Sequence, residues 1–488
     1  MITISHTQIL ALLPLLTIMF SVVIITLFIA LKRKYCLTVF LSLIGIISSF
    51  LSLTFINSMI PINIFLLFNI DKISILYSGM VLFISFYICI LSTSLMSNNI
   101  LNKEEFYLLL LFSTLGGLVL VFSSHMMTLI IGLELLTLPL IGLINFFISN
   151  MKSIESALKY AILSILGSSF MLYGIALIYS ISGNLGFFDI GACFNLYLLD
   201  KNIIFLCGLI MLLVSFGFKL SIFPFHLWIS DVYKNCSSLI LIFLSTVVKI
   251  SIISVLIHLF INIPLVVNQK FYFILETMAF FSIMIGNFMA LFQNSIKKIM
   301  GYTSISHIGL LLITFLGVYN YKNAITSANI YLIGHVLASI GVFSVMTSVS
   351  SYLNNSHEVD CLQVYKGFFW RFPILALAMT INICSIIGIP MTIGFWGKFY
   401  LIILAIQENL WVFLVALIIS SIFSIYFGLR IISTIYSYSD SLTSIKLLIQ
   451  YKNYNKVYEL FILFISSFVL ILGIYPQILI NFIEKFSI

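Results

Sequence analysis

Residues 203–260 decide the fold, and they run IIFLCGLIMLLVSFGFKLSIFPFHLWISDVYKNCSSLILIFLSTVVKISIISVLIHLF. They contain two apolar runs, each long enough to cross about 30 Å of hydrocarbon as a helix, with a short polar link between them. Lys219 and Lys249 interrupt these runs, and Pro224 removes a backbone donor within the first. The stretch therefore predicts membrane-spanning helices, one of them broken, that carry ionisable groups inside the membrane.

The composition of the whole chain agrees with this local pattern. The 488 residues are 62% hydrophobic and 8% charged, and the mean hydropathy is +1.22. Too few solvating groups are present to cover a water-soluble globule of this size. Because the apolar runs are continuous, they favour helices over the short alternating strands of an outer-membrane barrel. We expect an all-α integral membrane protein.

The charges, the cysteines and the first residues exclude several other classes. The formal net charge is +8, but the longest basic run, Lys32 to Lys34, lies between two apolar spans, so it indicates topology and no nucleic-acid binding. The seven cysteines form no CxxC motif and no Cys/His cluster, which predicts free thiols and no metal. The N-terminal stretch resembles a first span and neither a secretory signal nor a transit peptide.

Hydropathy predicts about fourteen transmembrane helices. We place them at 8–31, 35–56, 73–96, 105–122, 125–149, 154–181, 203–228, 238–261, 271–293, 299–317, 324–350, 372–406, 409–433 and 458–482. They group into N-terminal helices (1–100), a first five-helix repeat (101–261), a second repeat (262–435), and a basic-side loop with the last helix (436–488).

Lys and Arg are distributed unequally between alternate links. One set of links carries Lys32, Arg33, Lys34, Lys103, Lys152, Lys234, Lys297, Lys298, Lys366, Arg371, Arg430, Lys446, Lys452 and Lys456. The opposite set carries Lys72, Lys201, Lys270, Lys322 and Lys485. The positive-inside rule therefore predicts that the richer set and both chain ends lie on the cytoplasm-like face.

Helices 7 and 12 are predicted to be discontinuous. Pro224 interrupts the seventh, and the Gly388, Pro390, Gly394 and Gly397 series interrupts the twelfth. The two breaks are five helices apart, so a five-helix unit would place them in opposite orientations. This spacing is typical of an inverted-topology repeat around a polar cavity.

Five charged residues fall within apolar spans: Lys159, Lys219, Lys249, Lys398 and Glu134. A charge at the bilayer centre costs at least about 2.5 to 3.5 kcal/mol, so an ion or proton path is the default explanation. Lys249 lies too far from either end of its span to snorkel comfortably. Lys159 is close enough to the basic face to do so, and Glu134 could be a structural counter-ion for a lysine. Both alternatives stay open.

A series of buried amines separated by water suits proton hopping, because burial lets an amine both take up and release a proton. Lys219, Lys249 and Lys398 are predicted to step from the basic side to the opposite side. His226, His307 and His335 could join the path, or could only pack and form hydrogen bonds. Lysine is a poor sodium ligand, which favours the proton over sodium as the ion.

Six segments occur in the order and spacing of the antiporter-like subunits of respiratory complex I. They are GLELLTLPLIGL, ESALKYAILSILGSSFMLYGIALIYSISG, FGFKLSIFPFHLWISDVY, FLSTVVKI, GNFMALFQNSIKKIMGYTSISHIGLLL and GIPMTIGFWGKFYL. The chain resembles this family over roughly residues 100–435 and looks most like its chain 2 branch, which is subunit N in bacteria. Branch 4 resembles it less well, because that branch has Glu at the position of Lys398.

The resemblance implies roles for individual residues. Glu134 matches the family's fifth-helix carboxylate, which pairs with the seventh-helix lysine, here Lys219. Lys249 matches the central lysine, and Lys398 the twelfth-helix residue before the exit. Lys159 matches a sixth-helix lysine. His226 and His307, which we assign from their positions in the sequence and not from the resemblance, complete the proposed proton path.

The resemblance also implies a proton-translocating membrane-arm subunit, driven by electron transfer from NADH to ubiquinone in other subunits. No cofactor is expected in this chain; FMN, iron–sulfur clusters and quinone are expected in partner subunits. The implied partners are the antiporter-like chain 4, small chains such as chain 4L, and lipids such as cardiolipin, with no nucleic acid.

Three matters stay open at this point. The Ile-, Phe-, Ser- and Asn-rich composition favours a product of the mitochondrion in its inner membrane, with the plasma membrane of an AT-rich bacterium as the alternative. A stand-alone multisubunit Na⁺/H⁺ antiporter shares the same lysines. A spacer that only holds neighbouring pumps together is the third possibility, although five intramembrane charges argue against it.

Overall fold

The structure is a computed structural model that describes residues 5–96, 102–147, 151–196, 202–263, 268–317, 321–353, 360–438 and 456–486. In the first half of the described chain the helices are α1 His6–Ala11, α2 Leu13–Leu31, α3 Tyr35–Ile56, α4 Lys72–Leu95, α5 Lys103–Phe122, α6 Met126–Ile144, α7 Met151–Ser182, α8 Phe187–Leu196, α9 Ile203–Leu220 and α10 Ile229–Asn235. The second half has α11 Ser238–Ser245, α12 Val247–Asn262, α13 Gln269–Leu291, α14 Ile296–Phe315, α15 Tyr321–Leu353, α16 Pro373–Ile387, α17 Ile393–Gln407, α18 Trp411–Tyr436, α19 Lys456–Ile474 and α20 Pro476–Phe486.

The all-α membrane fold is confirmed. Among the described residues, 12 helices are long and apolar enough to cross a membrane, or up to 13 if α19 and α20 count as one bent span. The shorter α16 and α17 together occupy the predicted twelfth span, with the break at residues 388–392. The inverted relation of the two repeats stays a prediction.

The seventh span is broken as predicted, but its helical part is shorter than 203–228. Helix α9 ends at Leu220, and Ser221 takes a left-handed conformation with φ of 58°. Turns follow as far as Trp228, where α10 begins at the next residue. Pro224 explains the break, because it cannot donate to a helical ladder.

Three features lie outside the sequence prediction. The predicted helix 238–261 is broken at Thr246, whose backbone leaves the helical region (φ −120°, ψ −71°) and whose hydroxyl donates to the Ile242 carbonyl at 2.5 Å. The last span bends by 89° before Pro476. A two-stranded antiparallel sheet joins β1 Ile62–Ile64 and β2 Phe68–Ile70. Neither a three-residue strand nor a break at threonine leaves a hydropathy signal.

The chain divides into two compact units. The first comprises Met1–Leu220, Val247–Phe273 and Phe486–Ile488, and the second comprises Ser221–Thr246 and Ile274–Lys485. In the first unit α12 is buried against α4, α5, α8 and α9; in the second, α15 packs against α11, α14, α16, α17 and α19. The predicted boundaries at 100, 261 and 435 stay a prediction. Lys201, Lys446 and Lys452 lie outside the described residues, as does most of the predicted basic-side loop.

Candidate functional site

The first unit holds Lys219, Glu134 and Ser164 together. Lys219 is only 4% exposed in the last turn of α9, and its ammonium donates a hydrogen bond to the Ser164 hydroxyl on α7. Glu134, half-buried on α6, acts electrostatically on Lys219. Within the described residues this is an interaction through space and no direct ion pair. Ser164, which the sequence did not single out, is the hydrogen-bond partner of the lysine.

The end of helix α9 favours a cation at the position of Lys219. The last carbonyl groups of a helix carry partial negative charge, which stabilises a nearby cation. Because α9 stops at Leu220, Lys219 lies in that terminal turn. The proline that ends the helix therefore also provides an electrostatic reason for a buried lysine here.

Replacing Ser164 with alanine is expected to lower the free energy of unfolding by about 1.5 to 3 kcal/mol, the usual contribution of a hydrogen bond to a charged group. Ser164→Thr keeps the hydroxyl and should lose less than half of this. The measurement is unfolding in mixed micelles of mild detergent and SDS. The matched control is Ser169→Ala, since Ser169 is exposed on the same helix and its hydroxyl donates to the Leu166 carbonyl at 2.7 Å. Equal losses at both positions would contradict this assignment.

Lys249 is also in the first unit, in the first turn of α12, just after the break at Thr246. It is 4% exposed, and its neighbours Val248 and Ile250 are 2% and 0% exposed. Every residue of α12 from Val247 to Phe260 is buried. A lysine this deep in a buried helix contributes nothing to solvation, so the physical argument for a functional role of Lys249 still holds.

The second unit has a lysine site of its own at the broken α16–α17 pair. The Lys398 ammonium, on α17, donates to the Ile387 carbonyl at 2.6 Å and to the Ser424 hydroxyl at 3.3 Å. Ile387 is the last residue of α16, so the cation caps the negative end of that half-helix. In each unit a lysine, buried at Lys219 and half-buried at Lys398, therefore binds a serine hydroxyl beside a helix C-terminus.

Gly388 makes room for Lys398. Its φ is +85°, and a Cβ added there would lie 2.8 Å from Lys398 Cδ. Gly388→Ala should therefore cost the strain of a left-handed alanine, about 1 to 2 kcal/mol, and should also displace the lysine. Gly183→Ala is the matched control, since Gly183 has φ +67° and nothing within 4 Å of its added Cβ. In the same unfolding assay Gly388→Ala should be the more destabilising of the two; equal losses would show that Lys398 does not depend on this glycine.

Two histidines that the sequence treated separately lie together in the second unit. His307 on α14 shares a hydrogen bond between its Nδ1 and the Tyr331 hydroxyl. Its ring stacks on that of His335, with centroids 4.7 Å apart and planes at 29°. Tyr331 and His335 are four residues apart on α15, so they lie on one face of that helix. This spacing is visible in the sequence and is the pattern from which the cluster could have been predicted.

His226 and Lys159 lie apart from these groups. His226 is 8% exposed, in the turns after Pro224, and its ring centroid is 5.7 Å from that of Phe223. The Lys159 side chain is 44% exposed and forms an ion pair with Glu155, one turn earlier, at 2.9 Å. Lys159 is therefore not buried within this chain.

Sequence analysis missed a buried ion pair. Lys297, which we placed in a basic link, is 4% exposed, and its ammonium lies 2.7 Å from the Asp360 carboxylate. It also donates to the Cys236 carbonyl at 2.8 Å. Lys297 thus lies in the first turn of α14 and is buried, which its assignment to a basic link did not predict. Its partner lies 63 residues away in sequence, and no local pattern links the two.

No group of three or more His, Cys, Asp or Glu side chains comes together as a metal site in the part of the chain that the structure describes. The cysteines it covers are free. The site residues described above carry amine, imidazole, carboxylate and hydroxyl groups, all of which exchange protons.

Known proteins resemble this chain over nearly its whole length. Residues 123–424 match the NADH:quinone oxidoreductase/Mrp antiporter transmembrane family. The NADH-quinone oxidoreductase subunit N of Buchnera aphidicola subsp. Acyrthosiphon pisum (strain APS) is 41% identical over 486 residues, which are 99% of each chain.

Three solved structures share the fold. A chain of respiratory complex I from Thermus thermophilus with bound aureothin has a TM-score of 0.81 at 24% identity, covering 96% of this chain and 98% of that one. The archaeal membrane-bound sulfane sulfur reductase gives 0.82 at 20% identity over 98% and 96%. The Mrp complex from Dietzia sp. DQ12-45-1b gives 0.83 at 16% identity over 96% and 95%. With a family match over most of its length and a relative of this identity, the chain belongs to the NADH:quinone oxidoreductase/Mrp antiporter transmembrane family.

Proposed function

We propose that the chain is a proton-translocating membrane-arm subunit of an NADH:quinone oxidoreductase of the complex I type. The observation that carries this proposal is the 41% identity, over 99% of both chains, to a protein named NADH-quinone oxidoreductase subunit N. The Mrp-type antiporter is less supported, since the Mrp chain shares the fold at 16% identity. Electron transfer then takes place in other subunits, which would hold FMN, iron–sulfur clusters and quinone.

In the first unit, the proton is proposed to move through Lys219 and Lys249. Glu134 acts on the Lys219 ammonium, while Ser164 holds that ammonium in place. A change in the charge of Glu134 therefore changes how firmly Lys219 holds its proton. Lys249 would receive or release the proton in turn. Coupling of this kind needs no redox group in the chain, because each step is a shift in electrostatic free energy.

In the second unit, Lys398 is the proposed exit residue, with His307 as a relay. The Ile387 carbonyl and the Ser424 hydroxyl hold the Lys398 ammonium, and Tyr331 fixes the orientation of the His307 ring. His226, in the broken segment, and Lys159, at the surface, complete the proposed set. The exposed Lys159 side chain is accessible to a neighbouring subunit, so its proposed role is at the surface of this chain.

The proposed partners are other subunits of such a complex, among them the antiporter-like chain 4 and small chains such as chain 4L, together with lipids such as cardiolipin. The 41% identical relative is bacterial, so the proposed location is the plasma membrane of a bacterium. The expectation of a mitochondrial product gains no support from the comparisons.

Purification of the tagged chain from its native membranes tests the assignment. The expected result is co-purification with NADH:quinone reductase activity, bound flavin and iron–sulfur signals. Purification with other antiporter-like chains alone, and without NADH oxidation, would instead show the stand-alone antiporter.

A further inference from the structure

A carboxylate–imidazole pair lies at the end of α12, away from the lysine sites. His258, on α12, places its Nδ1 3.5 Å from the Asp71 carboxylate. The His258 side chain is 5% exposed and that of Asp71 is 26% exposed. One member is therefore inside the first unit, and the other reaches its surface.

The two oxygens of Asp71 have different partners. Oδ1 accepts a hydrogen bond from the Ser74 backbone at 2.8 Å, and the Asp71 backbone donates to the Ser74 hydroxyl at 2.8 Å, which forms a capping box at the start of α4. Oδ2 is the oxygen that faces His258. The Ser74 backbone N–H thus holds Oδ1, while Oδ2 is directed at the imidazole.

The other imidazole nitrogen faces the interior. His258 Nε2 is buried and has no hydrogen-bond partner among the described residues. Buried polar atoms are nearly always paired, so an exception calls for a cause, such as a role in proton exchange. With one nitrogen on a surface carboxylate and the other in the interior, an imidazole can take a proton on one side and release it on the other.

The other charged groups near α12, or on the helices packed against it, lie in environments that differ from that of Asp71. Lys72, beside Asp71, is exposed; Asp189 of α8 acts on His125; Lys219 of α9 binds Ser164. The charged residues of α5 lie in its first turn, whereas Ser123, at the other end of that helix, pairs with Phe68 of β2. Asp71 is therefore the charged group within ion-pair distance of His258.

The side of the membrane follows from the sequence. Lys72 belongs to the links that carry fewer cations, which the positive-inside rule places opposite the basic face. His258 is nine residues from Lys249 on the same helix, or about 13 Å along its axis. The pair thus lies between the interior that contains Lys249 and the face opposite the basic links.

We propose that Asp71 and His258 form a proton port through which the first unit exchanges protons with the face opposite the basic links. The inference rests on the proposed function, because a port requires a moving proton. The proton passes between His258 Nε2 and the interior, and between His258 Nδ1, the Asp71 carboxylate and the surface.

The test uses the assembled complex in sealed membrane vesicles, with Asp71→Asn and His258→Gln. Asparagine is also a good N-cap, so Asp71→Asn removes the charge while keeping α4 intact. NADH-driven proton translocation should fall by about tenfold or more, since a positioned acid–base group contributes about 10² to 10⁴ in rate. Quinone reduction with a protonophore present should stay near wild type, and Asp71→Glu should recover most of the translocation.

Ser74→Ala is the structural control, because alanine keeps the backbone N–H that holds Asp71 Oδ1 and loses only the hydroxyl that accepts from the Asp71 backbone. It should translocate protons at close to the wild-type rate. If Ser74→Ala loses as much as Asp71→Asn, the pair is only structural and the port is wrong. If Asp71→Asn has no effect while Lys249→Met stops translocation, the port is again wrong but the proposed function stands. If neither variant has an effect, the proposed function itself fails.

Discussion

Replacement of Lys249 with methionine is expected to give an assembled complex whose coupled NADH:quinone turnover falls by about tenfold or more. Methionine matches the length of the lysine stem and removes only its titratable amine. A positioned proton-transfer group contributes about 10² to 10⁴ in rate, so loss of the amine should slow every coupled cycle. Because a charge inside an apolar span costs free energy, the variant should unfold at a temperature no lower than wild type.

The measurement is quinone-dependent NADH oxidation in sealed vesicles, with assembly followed by native electrophoresis. The matched control is Lys322→Met, which makes the same chemical change at an exposed position at the start of α15. Lys322→Met should leave turnover unchanged. Equal activity of the two variants would remove Lys249 from the proton path, and a loss of assembly in Lys249→Met would make its role structural.

The largest loss of stability is expected from Lys297→Met. Removing one partner of a buried ion pair leaves an uncompensated charge, which costs about 3 to 5 kcal/mol. In this protein the lost ammonium also leaves the Cys236 carbonyl without its side-chain donor. Unfolding in SDS-containing mixed micelles should therefore begin at a clearly lower SDS fraction than for wild type.

Two further variants distinguish the loss of the Lys297–Asp360 ion pair from a general effect of substitution in this part of α14. Lys298→Met changes the next residue, which is half-buried, and should shift stability by less than about 0.5 kcal/mol, as is usual away from such features. The double variant Lys297→Met/Asp360→Leu removes both charges and should recover most of the lost stability. A double variant as unstable as the single one would show that the ion pair is not the cause.

Sequence patterns predicted the spans well because hydrocarbon imposes a length and an apolar composition on each helix. The helix Tyr35–Ile56 has the predicted bounds. Pro224 and the glycine series after Ile387 marked two of the breaks correctly, because proline and glycine act through local backbone geometry. Burial of Lys219 and Lys249 followed from their apolar neighbours alone.

The rest depended on contacts between distant segments. Ser164 and Lys219 are 55 residues apart, and Lys297 and Asp360 lie on different segments, so nothing local distinguishes them from other serines and lysines. The break at Thr246 has neither proline nor glycine to mark it. For Lys159 the sequence indicates the span but not the direction of the side chain. Hydropathy places Lys159 in a span, but only packing shows that it faces outward.

Proton translocation per electron pair, measured in sodium-free sealed vesicles, tests the central claim most directly. The assembled complex with the wild-type chain is compared with the one that carries Lys249→Met. We expect the wild type to move protons without sodium, and the variant to move fewer protons per electron pair. An unchanged ratio in the variant would support a spacer that only holds neighbouring pumps, and a strict need for sodium in the wild type would contradict the proton path.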